Sequence, residues 1–157
     1  MRDIIFKVIF LSRIISGSTA ETEKIGFDIG KTLPGGVVVA LFGDLGAGKT
    51  SFTRGFARGM GIDTDVTSPT FAIMNDYYGN GRHLYHFDMY RISGYDDLYS
   101  TGYFDYTDGD DSIIIEWSEN IEEFLPDDCV RITLIKTDNE NERLIDISGF
   151  DYENTFN

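Results

Sequence analysis

The N-terminal part of the chain alternates apolar and polar residues in patterns typical of helices and strands. Apolar positions at helical spacing predict a helix over about residues 20–32, with Ser18 or Thr19 as its N-cap. A continuous valine-rich run over residues 37–42 predicts a buried strand. A glycine-rich loop and a second amphipathic helix over residues 49–60 follow that strand.

The remainder of the chain is richer in strand patterns. Asn80-Gly81 separates two β-prone runs and predicts a hairpin turn. Short helices are expected over residues 95–99 and 119–124. The predicted strands lie at residues 3–11 (an edge strand), 37–42, 71–78, 84–90, 112–117, 130–137 and 143–148. These elements predict a compact α/β domain whose sheet mixes parallel and antiparallel pairs.

The glycine loop between the predicted strand 37–42 and the helix that follows it carries the strongest chemical signal. Gly43-Asp44-Leu45-Gly46-Ala47-Gly48-Lys49-Thr50 matches the phosphate-binding pattern G-x-x-x-x-G-K-[ST] at every fixed position. Loop amides at a helix start form an anion-binding nest, a lysine adds positive charge, and a threonine hydroxyl binds magnesium. The residues expected to contact a nucleotide here are Gly46, Ala47, Gly48, Lys49, Thr50 and Ser51. An ordinary glycine-rich turn is the alternative, and the flanking strand and helix disfavour it.

This loop assigns the fold class as well. We predict an α/β, P-loop NTPase-like three-layer sandwich with a mixed parallel/antiparallel central sheet, formed as a single domain over residues 1–157.

Two carboxylates lie where a nucleotide hydrolase needs them, at the ends of predicted strands. Glu116 follows the apolar run 113–115, the pattern expected of a magnesium-holding acid. Asp88 ends the run 84–87. The alternative for either residue is an exposed strand-end acid, or one paired with a base such as Arg91.

Charge and cysteine content narrow the classes of partner and compartment. The chain has 13 basic and 27 acidic residues and a net charge of −14, which disfavours extended direct contact with nucleic acid. The single cysteine excludes an internal disulfide and fits a reducing cytoplasm. His83 and His86 supply too few ligands for zinc. The apolar segment 4–15 is too short to span a bilayer, and Lys7 and Arg13 interrupt it, so no membrane association is expected.

Four blocks in order resemble one family. Besides the phosphate loop they are Ser68-Pro69-Thr70-Phe71, His86-Phe87-Asp88-Met89-Tyr90-Arg91 and Glu116-Trp117. Together they resemble the TsaE (YjeE) proteins, bacterial ATPases of the tRNA threonylcarbamoyladenosine pathway. The resemblance covers about residues 16–148. Ser118 departs from it, because the family often has proline after the tryptophan, and the apolar run before Ser16 is longer than the resemblance leads us to expect.

The resemblance implies ATP and magnesium as cofactors and assigns roles to matching residues. Lys49 would bind phosphates and act in catalysis with Asp88, while Thr50 and Glu116 would hold magnesium. The loop 68–71 resembles a nucleotide-sensing switch, and Trp117 resembles the family's tryptophan. Further nucleotide contacts are expected from Thr70, Thr19, Glu21 and Arg143. The implied partners are the TsaD and TsaB proteins, with TsaC making the intermediate and tRNA involved only indirectly.

Two other functions remain open at the level of sequence. Nucleoside and small-molecule kinases share the phosphate loop, but they typically need an arginine-rich lid, and the arginines here are scattered. A non-hydrolysing nucleotide-responsive module is the other alternative; the guanine-reading N-K-x-D pattern is absent, which disfavours GTP.

Overall fold

A computed structural model describes residues 11–69 and 73–156. The strands are β1 (Leu11–Ser16), β2 (Val38–Phe42), β3 (Met74–Gly79), β4 (Arg82–Asp88), β5 (Ser112–Glu116), β6 (Val130–Lys136) and β7 (Arg143–Ser148). The helices are α1 (Thr19–Thr32), α2 (Lys49–Gly59), α3 (Tyr95–Ser100), α4 (Tyr103–Thr107) and α5 (Tyr152–Phe156), with a 3-10 helix over Ser118–Phe124.

The seven strands form one mixed sheet in the order β1-β7-β6-β2-β5-β4-β3. β2 lies at the centre, parallel to both β5 and β6, and β4 is parallel to β5. The remaining pairs are antiparallel: β3 with β4 on one side, and β6 with β7 and β7 with β1 on the other. The carboxyl ends of β2, β4 and β5 therefore lie at the same edge of the sheet.

Helices cover both faces of the central strands. Alternate residues of β2 point to opposite faces, so Val39 and Leu41 pack in the core beneath α1 and α2. Val38 and Ala40 pack in the opposite core, which contains Leu98 of α3 and residues of α4 and the 3-10 helix. The predicted three-layer α/β sandwich with a mixed sheet is confirmed.

The two helices on the first face touch backbone to backbone. A Cβ atom on Gly26 or Gly30 of α1 would collide with the carbonyl oxygen of Phe52 or Phe56. Conversely, a Cβ atom on Gly55 of α2 would collide with the carbonyl oxygen of Glu23. Glycine at these positions allows α1 to lie directly against α2, and α2 in turn carries the phosphate loop at its start.

β1 forms an edge of the sheet over Leu11–Ser16, so the strand continues past the predicted end at residue 11 and includes Ser16, which the prediction assigned to a loop. The hydrophobic pattern is weak here because two of the inward positions, Ser12 and Ser16, are serines, with Ile14 between them packed against the core. The Ser16 hydroxyl hydrogen bonds with that of Thr22. Residues 3–10 lie outside the described part of the chain.

Two short helices were not predicted, α4 and α5, each of five residues. The predicted helix over 119–124 is a 3-10 helix. Among the described residues, no helix is both long and apolar enough to cross a membrane.

Candidate nucleotide site

The phosphate loop is fixed in place by glycine. Gly43 has a φ of +147°, and a Cβ atom there would lie 2.6 Å from the Leu134 carbonyl oxygen of β6, so only glycine fits. Gly48 has a φ of +104° and is the N-cap of α2, which it cannot cap with a side chain. The positive end of the α2 dipole therefore faces the loop, as in phosphate-binding helix termini.

A cavity of about 460 Å³ opens over this loop, a size typical of small-molecule sites. Its lining comes from the start of α1, the phosphate loop, the ends of β4 and β5, and the β6–β7 turn. The lining residues are Ser18, Thr19, Thr22, Leu45, Gly46, Ala47, Gly48, Lys49, Thr50, Ser51, Ser68, Asp88, Tyr90, Glu116, Trp117, Glu140, Asn141 and Arg143. Every predicted site residue that the structure describes lies in this lining, with the exception of Glu21.

Lys49 is only 5% exposed and folds back onto its own loop. Its Nζ donates to the carbonyl oxygens of Gly43 and Asp44, the latter at 3.0 Å. The same atom lies 3.9 Å from the centroid of the Trp117 ring, a cation–π contact. Burial lowers the pKa of the Lys49 ammonium, while the nearby carboxylates, led by Glu119, partly oppose that shift. The Lys49 ammonium therefore lies in the cavity wall, where an anionic ligand would contact it.

Thr50 and Glu116 meet at the base of the cavity. The Thr50 hydroxyl donates to Glu116 Oε1 at 3.0 Å, and Glu116 is 3% exposed. Asp88 lies directly opposite Glu116 in the parallel β4–β5 register. Both strand-end acids therefore lie beside the phosphate loop.

The Asp88 carboxylate is held by two hydrogen bonds. Its Oδ1 accepts from the Tyr90 backbone N–H at 3.0 Å, and its Oδ2 accepts from the Ser68 hydroxyl at 3.1 Å. In the described part of the chain Asp88 forms no ion pair with Arg91, so the structural alternative for this acid is not supported. Ser68 also places the predicted switch loop against the site. Thr70, the polar contact expected from that loop, lies outside the described residues.

Arg143 supports the phosphate loop from the side of β7. Its guanidinium donates to the carbonyl oxygens of Ala47 and Gly46, at 3.0 and 3.1 Å. Lys136 of β6 donates to the Leu45 carbonyl from outside the cavity, a contact that sequence analysis missed. Both cations thus bind the loop backbone.

At the start of α1, Thr19 lies in the cavity wall as predicted, but Glu21 does not. The Glu21 carboxylate accepts from the Gly17 backbone N–H at 2.6 Å, while the Ser18 hydroxyl accepts from the Glu21 N–H at 3.1 Å. Ser18 and Glu21 thus bind backbone N–H groups at the start of the helix and fix it, in an arrangement related to a capping box. Glu21 is therefore explained by the helix end and not by a nucleotide contact.

Trp117 has an unusual backbone conformation. Its φ of 59° and ψ of 42° are left-handed, which is a true outlier for a bulky residue and a mark of a functional site. This conformation ends β5 abruptly and turns the ring toward Lys49, with Tyr90 packed against it at 4.8 Å between centroids.

One buried side chain of the site was missed at the sequence level. His86 is fully buried, and its Nε2 lies 2.9 Å from Glu116 Oε1. The available signal was the period-two alternation of β4, which places His86 on the same face as Asp88, two residues along. From the sequence, His86 was rejected as a zinc ligand and otherwise appeared only as the first residue of the block 86–91 of the resemblance.

The oxygen donors present fit magnesium. Mg²⁺ typically takes one or two carboxylates or hydroxyls and completes its octahedron with phosphate oxygens and water. Thr50 and Glu116, 3.0 Å apart beside the anion-binding loop, supply that kind of partial ligand set. Among the described residues, no three His, Cys, Asp or Glu side chains converge on one point.

The strand–glycine loop–helix unit, with its lysine and its paired acids at the carboxyl edge of the sheet, defines a P-loop α/β protein. A sequence model of TsaE, described as threonylcarbamoyl adenosine biosynthesis protein TsaE, matches residues 16–145. The chain belongs to the TsaE family.

Individual relatives agree with this assignment. A tRNA threonylcarbamoyladenosine biosynthesis protein TsaE from Treponema pallidum is 39% identical over 122 residues, which cover 78% of this chain and 90% of the relative. A protein of the same name from Bacillus subtilis is 42% identical over 119 residues, covering 75% and 74%. The crystal structure of Bacillus subtilis YdiB superposes with a TM-score of 0.73 at 34% identity, covering 90% of this chain and 87% of that one.

Proposed function

We propose that this protein is an ATP-binding, magnesium-dependent ATPase that supports threonylcarbamoyladenosine modification of tRNA next to the anticodon. In this proposal it acts on a complex of TsaB and TsaD. One observation carries the ATPase part: Lys49 and Thr50 of the phosphate loop face two acids, Asp88 and Glu116, paired in register on neighbouring strands.

Phosphate binding is assigned to the loop amides and Lys49. The ammonium exchanges its contacts with the Gly43 and Asp44 carbonyls for phosphate oxygens, which carry full negative charge and make stronger hydrogen bonds. Thr50 and Glu116 are the residues that would hold magnesium, whose chemistry is to neutralise charge on the phosphate oxygens.

Asp88 is assigned to the attacking water. Hydrolysis needs a group that orients water or accepts its proton, and a partly buried carboxylate held at both oxygens is suited to this. Because Ser68 and Tyr90 fix the plane of the carboxylate, its remaining lone pairs have a defined direction.

The pathway role rests on the family and on charge. Relatives at about 40% identity are named for tRNA threonylcarbamoyladenosine biosynthesis. A net charge of −14 repels polyanions, so contact with tRNA through partner proteins is favoured over direct binding. The same reasoning favours a cytoplasmic enzyme that is weak alone and stimulated by its partners.

The test is ATP turnover by the purified protein alone, with a TsaB–TsaD pair, and with that pair and tRNA. We expect a slow magnesium-dependent rate alone and a higher rate with partners, both lost in Lys49→Ala. A gel-shift experiment should show poor tRNA binding by the protein alone. Phosphorylation of an added nucleoside would indicate a kinase instead, and ATP binding without turnover under any condition would indicate a non-hydrolysing module.

A further inference from the structure

A series of buried hydrogen bonds leads from Glu116 of β5 across β4 to the edge strand β3. Glu116 Oε1 lies 2.9 Å from His86 Nε2, and both side chains are almost completely buried. The other ring nitrogen, His86 Nδ1, lies 3.1 Å from the Tyr77 hydroxyl on the neighbouring strand β3. A carboxylate held by one nitrogen of a histidine, whose second nitrogen is also held, has a fixed orientation.

The series of hydrogen bonds continues into the loop between α2 and β3. The Tyr77 hydroxyl lies 3.0 Å from the Thr67 carbonyl oxygen, which also accepts from Asn75 Nδ2 at 3.1 Å. Three consecutive hydrogen-bond contacts thus connect Glu116 with the backbone of residues 61–69, the segment termed here the α2–β3 loop.

The α2–β3 loop is attached to the second acid as well. Ser68, the next residue after Thr67, donates its hydroxyl to Asp88 Oδ2. Two adjacent loop residues therefore connect to the two opposed acids, one directly and one through the His86–Tyr77 chain. A displacement of Glu116 would be transmitted to the same short segment that holds Asp88.

Ordinary packing does not account for this arrangement. His86 and Tyr77 make a tilted ring contact with centroids 5.8 Å apart, which two apolar side chains would equally provide. Burying a histidine instead requires that both ring nitrogens be hydrogen-bonded, since an unsatisfied buried polar group destabilises the fold. The polar pair lies under the site, between the proposed metal-binding carboxylate and the loop.

We propose that His86 and Tyr77 are positioning residues that couple the magnesium-binding carboxylate of Glu116 to the conformation of the α2–β3 loop. This inference rests on the proposed function, because it takes Glu116 as a magnesium ligand. His86 orients the carboxylate. Tyr77 transmits its position to Thr67, so that the loop responds to the presence of the metal.

Three variants separate the Glu116–His86 contact from the His86–Tyr77 contact. His86→Ala removes both contacts, while His86→Gln keeps an amide able to donate to Glu116 and loses the contact to Tyr77. Tyr77→Phe removes only the hydroxyl. Tyr103→Phe is the matched control, because Tyr103 is a buried tyrosine whose hydroxyl donates to the Phe124 carbonyl at 3.0 Å, far from this chain of contacts.

The first measurement is the affinity for a non-hydrolysable ATP analogue, by fluorescence of the single tryptophan Trp117, in magnesium and in EDTA. The ratio of the two affinities isolates the contribution of the metal. We expect His86→Ala to reduce this ratio about tenfold while the affinity in EDTA stays within about twofold, as for other residues that orient metal ligands. His86→Gln and Tyr77→Phe should keep the ratio within about threefold of the parent.

The second measurement is hydrogen exchange in peptides spanning residues 63–76, with the analogue bound. In the parent and in Tyr103→Phe, adding magnesium should slow exchange in these peptides by about threefold or more. In Tyr77→Phe and His86→Gln that response should be lost, although both bind the metal–nucleotide complex.

The outcomes distinguish the inference from the function beneath it. If the parent binds the analogue equally well with and without magnesium, the proposed function fails and the coupling with it. If the parent responds but Tyr77→Phe and His86→Gln retain its exchange response, the coupling is refuted and the ATPase proposal stands. The coupling is likewise refuted if folded His86→Ala loses affinity equally in magnesium and in EDTA; should that variant not fold, the other two decide.

Discussion

Replacing Lys49 by alanine tests the central assignment of the site. The Lys49 ammonium lines the cavity beside the phosphate loop and the acids. Arg143 lines the same cavity from the side of β7, whereas Lys136 contacts the loop from outside it. Lys49 is nearly buried and lies over Trp117, so its removal leaves the anion-binding amides intact but without their charged neighbour.

The expected magnitude follows from the contacts that Lys49 exchanges. A hydrogen bond to a charged group contributes about 1.5–3 kcal/mol, and an ammonium facing a triphosphate is able to make two. Against this stand the two carbonyl contacts that Lys49 gives up on binding. Its burial is already present without nucleotide, so little further desolvation of the lysine is needed. A net loss of about 2–4 kcal/mol corresponds to roughly 30- to 1000-fold weaker ATP binding.

Isothermal titration calorimetry with a non-hydrolysable ATP analogue and magnesium measures this loss without using Trp117, whose emission the substitution itself changes. Lys24→Ala is the control, because it removes an exposed ammonium of α1 that pairs with Asp28 outside the cavity. It should bind within about threefold of the parent. A folded Lys49→Ala protein with parental affinity would refute the assignment of this loop to phosphate binding.

Four other substitutions test the remaining site residues and the contact between α1 and α2. Glu116→Ala and Thr50→Ala should lose magnesium-dependent turnover more than nucleotide binding, and a parental rate with unchanged magnesium dependence in either variant would exclude that residue as a ligand. Asp88→Asn should bind ATP normally and turn it over about 100-fold more slowly in a steady-state phosphate-release assay. A rate within about twofold of the parent, roughly 0.4 kcal/mol of barrier, would make Asp88 structural. Gly30→Ala should lower the free energy of unfolding in urea by about 2 kcal/mol or more, because its Cβ meets the α2 backbone. The control Gly35→Ala should change that free energy little, because its nearest neighbour is the end of an arginine side chain at 3.8 Å. Equal values for the two variants would contradict the close helix contact.

Sequence alone predicted the parts of the site that are local in the chain. The phosphate loop needs only eight consecutive residues, so its conformation and the start of α2 follow from glycine, lysine and threonine at fixed spacing. Asp88 and Glu116 were found because strands that end at one edge of a sheet bring their terminal residues together, and the register confirms it. The mixed sheet followed from the hairpin signal at Asn80-Gly81 combined with the helices between apolar runs.

Contacts that depend on long-range packing were not predictable in this way. His86 and Glu116 are 30 positions apart and meet because β4 and β5 are neighbours with a particular register. Period-two alternation places His86 on the face of Asp88 and His83 on the opposite face, but it does not reveal that His86 meets Glu116. His83 pairs with Asp76 at 2.9 Å. The extension of β1 to Ser16 has a similar cause: the inward Ser16 hydroxyl bonds to Thr22 of α1, which a hydrophobic pattern does not reveal.

The strand order explains why the site draws on both halves of the sheet. The phosphate loop leaves β2 at the centre, so one neighbour, β5 with β4 beyond it, brings the acids Glu116 and Asp88 to the inside of the loop. The other neighbour, β6 with β7 beyond it, brings Lys136 and Arg143 to the other side of the loop, where they bind its carbonyl oxygens. Because the C=O and N–H of a trans peptide point in opposite directions, holding these carbonyls directs the following amides away from the two cations. The β5–β4 side thus brings the two acids to the phosphate loop, and the β6–β7 side fixes the backbone of that loop.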